Sequence, residues 1–182
     1  MKQIMNARNA LVTLSMLTVV ALASGCATPA THEGMIPADY DVATKHSKTV
    51  GVKVGGGQET SSVGKSQISD EAFSNALIES ITKSQVFSRV IQGKGGDYEL
   101  SVGIISMDQP SFGMDFTVKM EAGWTLKNAA NGVVVWQKAI KSQHTATTSD
   151  AFVGTTRLRL ASEGAARNNI KQGLAEISRL KL

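Results

Sequence analysis

Alternation of apolar and polar side chains is clearest between Phe116 and Lys127. Phe116, Val118, Met120, Ala122, Trp124 and Leu126 share one face, and Thr117, Lys119, Glu121, Gly123, Thr125 and Lys127 the other. A period of two predicts a strand with one face on a core and one in water. Val50, Val52 and Val54 repeat the pattern over a shorter stretch that Gly55-Gly56-Gly57 ends, and Tyr98, Leu100, Val102 and Ile104 repeat it until Pro110 breaks it. After Phe116–Lys127 the turn formers Asn128-Ala129-Ala130-Asn131-Gly132 predict a hairpin, so the run from Val133 to about Thr145 should return antiparallel.

Two stretches change to helical spacing. Ser69 is placed to cap a helix with Asp70 and Glu71 in its first turn, and Phe73, Ala76, Leu77, Ile81 and Phe87 then fall on one face. From about Thr155 to Arg179, Ala166, Ile170, Gly173, Leu174 and Ile177 make a narrow stripe. Glu163 falls inside that stripe, so the first two turns are expected to be irregular or to lean outward, with Leu158 and Leu160 packed elsewhere. The order predicts an α+β fold: a mostly antiparallel sheet of about four strands with two helices packed on one face.

The amino terminus has another pattern. Lys2 and Arg8 precede an uncharged run from Ala10 to Ala23, and small residues close it. That is the layout of a secretory signal, and about 14 residues are too few for a membrane span of about 20. Residues 1–25 are therefore read as a signal peptide, 26–48 as a flexible tether, and 49–182 as one exported α/β domain. As a coil, about 20 residues of tether would reach roughly 25 Å, although Met35 and Ile36 are apolar enough to dock locally.

Leu22-Ala23-Ser24-Gly25-Cys26 resembles the lipobox of bacterial lipoproteins, with Ala23 at the position where leucine is preferred. The resemblance implies cleavage between Gly25 and Cys26, and a diacylglycerol and an N-acyl chain on Cys26. Ala27, where aspartate would imply inner-membrane retention, implies the outer membrane, facing the periplasm. Cys26 is the only cysteine, so no disulfide can form within the chain. The stretches Asp97-Tyr98-Glu99-Leu100-Ser101-Val102 and Val134-Val135-Trp136-Gln137-Lys138, with the element order, make the domain similar to small periplasmic α/β lipoproteins. These include the YajG-like group and the auxiliary lipoproteins of envelope transport systems.

Charge adds little to this picture. Removing residues 1–25 takes away Lys2 and Arg8 and no acidic group, leaving 17 basic against 15 acidic side chains. That balance does not favour a nucleic-acid partner. The basic groups gather late, however, at Arg157, Arg159, Arg167, Lys171, Arg179 and Lys181, which suggests a surface for anionic headgroups or an acidic partner. Phe112 and Met114, beside Pro110 and Gly113, form an apolar loop suited to insertion into a partner or lipid, or to folding back over the core. Phe112, Met114, Arg157, Arg159, Arg167 and Lys171 are the candidate partner-binding residues.

Catalytic signals are weak. Gly64-Lys65-Ser66 lacks the first glycine of a phosphate loop, whose place Glu59 holds, so no nucleotide is expected. His32, His46 and His144 lack metal-ligand spacing, and no Gly-x-Ser-x-Gly elbow occurs. Asp108 and Asp115 flank the Pro110 loop but read better as solvated loop ends than as an acid/base pair. The expectation is a protein that is not an enzyme and uses no cofactor or metal. It would be anchored to the membrane by lipid and bind an envelope protein complex. A carrier of lipid or lipopolysaccharide, which would need an apolar cavity, is the second reading, and an envelope-polymer enzyme the third.

Overall fold

The computed structural model describes residues 27–61 and 64–182; the signal, cleavage and lipidation positions up to Cys26 lie outside them. Five strands form one mixed sheet: β1 (His46–Gly55), β2 (Phe87–Gln92), β3 (Tyr98–Asp108), β4 (Phe116–Asn128) and β5 (Val134–Ala146), in the order β2-β1-β3-β4-β5. β1 runs parallel to β2 and β3, while β3, β4 and β5 are antiparallel. Two helices, α1 (Asp70–Ser84) and α2 (Gly154–Ile177), complete the α+β fold. The alternation in β4 is realised without exception: every apolar position from Phe116 to Leu126 is buried, and none of the intervening ones is.

The fifth strand is β2. The helical face expected to reach Phe87 stops earlier, because Gln85 turns into the left-handed region (φ 56°) while its N–H still donates to Ile81 O at 2.9 Å. Phe87 therefore opens a short parallel strand instead of ending a helix. β2 and β3 lie on opposite sides of β1 and run in the same direction. Gln92 pairs beside Val52 and Tyr98 beside Val50, so residues 93–97 need only step across β1 at Gly51. A Cβ at Gly51 would lie 2.4 Å from Gly95 O and 2.6 Å from Gly93 O, so only glycine lets the chain cross there. Asp97 pins the far end, its Oδ2 accepting from Thr49 N (2.8 Å) and Oγ1 (2.9 Å).

α1 starts where its cap predicts, with Ser69 Oγ accepting from Ala72 N at 3.1 Å. α2 is held by a buried polar clamp. Trp124 Nε1 donates to Asn169 Oδ1 at 2.9 Å, and Asn169 Nδ2 donates to Ile140 O (2.8 Å) and Ser142 Oγ (3.2 Å). Ser142 Oγ in turn donates to Ala165 O at 2.8 Å. The indole lies so close that a Cβ at Gly173 would be 2.5 Å from Trp124 Cη2. Helix, β4 and β5 are thereby locked in one register.

The helix is continuous through Glu163, which does not lean outward. Glu163 is 2 % exposed, and its Oε1 accepts from Arg159 Nη1 (2.7 Å), Thr31 N (2.8 Å) and Thr31 Oγ1 (3.1 Å). Paired and hydrogen-bonded in this way, a buried carboxylate is tolerated.

Thr31 belongs to the segment expected as a tether, and the structure lays that segment along α2. Met35 is fully buried, Ile36, Tyr40 and Val42 pack on the core, and Arg167 Nη1 donates to Gly34 O at 3.0 Å. Lys171 pairs with Asp39, Arg179 Nη2 with Asp41 Oδ2 at 2.6 Å, and Ala43 N donates to Ser178 Oγ at 3.0 Å. Residues 31–43 thus run along α2 from Glu163 to Arg179 as a strap that leads into β1.

Replacing Asn169 with leucine should destabilise the domain by about 2–3 kcal/mol in urea unfolding, because the Trp124 N–H and Ile140 carbonyl lose buried partners. Gly173→Ala should cost about 1–3 kcal/mol by forcing Trp124 away from the helix. For the strap, Glu163→Ala is expected to cost about 2–3 kcal/mol and to speed amide exchange selectively at residues 31–36. Lys171→Ala, which breaks an exposed pair, should cost under about 1 kcal/mol. Uniform exchange in both variants would show that the strap is not held by Glu163.

Candidate functional site

Among the described residues the three most exposed large apolar side chains, Phe152 (93 %), Phe112 (92 %) and Met114 (76 %), lie at the end of the sheet where β3 passes to β4 and β5 passes to α2, with Val153 (52 %) beside them; Ile105 on β3 and Val133, Val134 and Val135 at the β4–β5 hairpin are exposed elsewhere. The Phe112–Met114 loop does not fold over the core. Phe152 and Val153 join it without any forewarning in the sequence, since no periodicity marks two apolar residues inside a polar loop.

Phe116 is the floor between the two loops. Its ring lies under the Arg157 guanidinium, whose carbon is 5.4 Å from the ring centroid. Arg157 Nη1 also donates to Ala151 O (2.8 Å) and Phe152 O (2.6 Å). Arg157 is therefore buried and braces the second loop from inside instead of presenting its charge outward. The remaining basic candidates are similarly occupied: Arg159 by Glu163, Arg167 by the Gly34 carbonyl, and Lys171 by Asp39. Helix spacing predicts that these groups share an element but cannot show that the strap lies on it.

Other candidate chemistry has structural duties. Lys65 Nζ donates to Gln109 O at 2.6 Å and Ser66 Oγ to Thr28 O at 2.8 Å, so the Gly64-Lys65-Ser66 loop ties the strap to the Pro110 loop. His46 Nε2 lies 3.0 Å from Ile177 O. His144 packs under Gly164, and its pKa is held below the ordinary histidine value by burial first and by the Arg167 charge second, against the pull of Asp150. Asp150 itself lies below the usual carboxylate range because Thr147 N and Oγ1 donate to it. Asp97 is lowered likewise by Thr49. Both carboxylates favour the fold above the usual carboxylate pKa, a contribution lost as pH falls through their depressed values. Asp108 sits opposite Lys119 in the β3–β4 register and Asp115 is exposed. Among the described residues no three His, Cys, Asp or Glu side chains gather as a metal site, and no helix is long and apolar enough to cross a membrane.

The space between helices and sheet is filled by Trp124, Phe73, Leu77, Met120, Ile170 and Leu174, none more than 2 % exposed. The open clefts lie on the surface. One, of ≈ 640 Å³, is lined largely by polar and charged groups that include Asp108, Lys119, Glu121 and Lys141. The two sheet edges differ. On β5, Asn168 Nδ2 donates to Gln143 O (2.8 Å) and Asn169 to Ile140 O, so α2 occupies part of that edge. β2 forms the other.

No family model matches this chain, and no curated protein matches its sequence. Among solved structures, the protein XCC0632 of Xanthomonas campestris is similar over 84 % of this chain and 90 % of its own, at 11 % identity and a TM-score of 0.51. A dodecamer of a PelC variant from Paraburkholderia phytofirmans matches 79 % of this chain and 95 % of its own, at 15 % identity and a TM-score of 0.50. A minor lipoprotein from Acinetobacter baumannii matches more loosely, at 7 % identity over 72 % of this chain and 93 % of its own, with a TM-score of 0.46. At these identities the first two establish a shared fold and no more.

Proposed function

We propose that this chain is a lipid-anchored accessory protein of the Gram-negative cell envelope, acylated on Cys26, that works by binding a protein complex and not by catalysis. Ala27 after Cys26, read through the lipobox resemblance, supports a place on the outer membrane facing the periplasm. The single observation that carries the reading beyond the lipobox is the filled interior beneath an exposed apolar end. A carrier of an amphiphile needs an apolar cavity for its acyl chains, and here Trp124 and its neighbours occupy that volume.

Of the contact routes open to such a protein, the basic groups of α2 are already engaged, Arg157 by the Phe152 loop, Arg159 by Glu163, and Arg167, Lys171 and Arg179 by the strap. The outer edge of β2 offers backbone groups to which a partner strand can add. Arg89, exposed on β2, is a suitable position for a photo-crosslinker.

Mass spectrometry of the membrane fraction should find residues 26–182 carrying acyl chains, and Cys26→Ala should release a soluble or precursor form. Normal maturation and fractionation of that variant would remove the lipid-anchor reading. A crosslinker at position 89 should return one recurrent envelope protein. Co-purified lipid with no protein adduct would favour the carrier instead.

A further inference from the structure

The exposed apolar loops and the start of the described chain lie at the same end of the domain. Ser66 ties the two together. Its hydroxyl donates to Thr28 O at 2.8 Å, and its carbonyl accepts from Gln109 Nε2 at 2.6 Å. Gln109 also donates to Ser162 Oγ at 3.0 Å and directly precedes Pro110 and the Phe112 loop. Thr28 is thus fixed beside the base of that loop, and Ala30 N, two residues on, donates to Gln67 O at 3.1 Å.

Both loops approach the ring of Phe116. A Cβ built at Gly113 would lie 3.8 Å from Phe116 Cε1, and one at Gly154 would lie 3.7 Å from Phe116 Cε2. Gly113, between the exposed Phe112 and Met114, and Gly154, next to the exposed Phe152-Val153 pair, therefore sit at the two edges of a single ring. Cys26 is two residues before Thr28, and two residues of extended chain reach only about 7 Å. The described chain thus begins beside the base of the Phe112 loop, and in the sequence only Ala27 stands between Thr28 and the proposed anchor residue, Cys26.

We propose that this end of the domain docks directly on the leaflet that holds the anchor, with the Phe112 and Phe152 rings and the Met114 and Val153 side chains entering the interfacial layer. This deepens the reading of a lipid-anchored protein and rests on acylation of Cys26. Its charges indicate the kind of surface. Asp115 and Asp150 flank the loops, Arg157 is turned inward, and Lys65 is bound to the Gln109 carbonyl. Such a rim does not recruit anionic headgroups; it suits a zwitterionic interface entered by apolar side chains. The two signals act together, since loop insertion orients the domain and the acyl chains hold it there. The fold then stands at a fixed attitude, with the β4–β5 hairpin pointing away from the membrane.

The test uses the full acylated chain, purified from membranes and reconstituted into phosphatidylcholine–phosphatidylethanolamine vesicles. Cys26 is blocked by its lipid, so Phe152→Cys, Phe112→Cys and Val133→Cys each carry one reactive thiol for an environment-sensitive fluorophore. Val133 is exposed on the hairpin at the opposite end. Labels at 152 and 112 should shift to the blue and lose the larger part of their emission to nitroxide-bearing lipids, while the label at 133 stays unquenched. Raising salt to 1 M should leave the quenching in place. Vesicle-bound protein with unquenched labels at 112 and 152 would overturn the docking and leave the anchor intact. Material with a free thiol at Cys26 that does not join vesicles would overturn the anchor, and the docking with it.

Discussion

The arrangement of this domain depends on the fit of one indole under one helix. Trp124 fills the space that a side chain at residue 173 would occupy, and its N–H meets Asn169 at 2.9 Å, so α2 can sit in only one place along β4. A hydrophobic helix stripe alone leaves freedom to slide. A buried donor and acceptor that must find each other do not, because a slip would leave both unsatisfied in a dry core. Asn169 extends the constraint to β5 through Ile140 O, and Ser142 returns it to Ala165. This closed set of partners fixes the depth and rotation of α2.

Once α2 is fixed, its outer face becomes a track for the amino-terminal strap. Glu163, Arg167, Lys171 and Arg179 meet Thr31, Gly34, Asp39 and Asp41 in the same order along the two segments. The exposed pairs contribute little individually, whereas Glu163 is committed, since a buried carboxylate without Thr31 and Arg159 would be costly. The strap leaves the described chain's start close to the base of the Phe112 loop. The same contacts neutralise the basic groups that would otherwise draw the helix to an anionic surface.

Much of the fold is legible in the residue order. The strict alternation of β4, the Ser69 cap with acidic residues behind it, and the Asn131-Gly132 turn each act through local physics, and each is found in place. β2 is different: only Phe87 is fully buried in it, so it shows no alternation, and its pairing depends on a neighbour far earlier in the chain. The left-handed Gln85 that separates it from α1 carries no glycine or asparagine to announce the break. The exposed apolar end was half visible, with Phe112 and Met114 marked by Pro110 and Gly113, while Phe152 and Val153 join them only across space.

The sequence alone determined the α+β class, the sheet's core face and both helices, because those depend on spacing within a few residues. The tertiary structure alone decided how charges and the amino-terminal segment are used. Glu163 reads as a fault in a helix stripe until Thr31, 132 residues away, is seen donating to it. Arg157 reads as a surface cation until Phe116 is seen beneath it. In both cases the favourable term comes from a partner brought close by the whole fold, and distance along the chain carries no record of it.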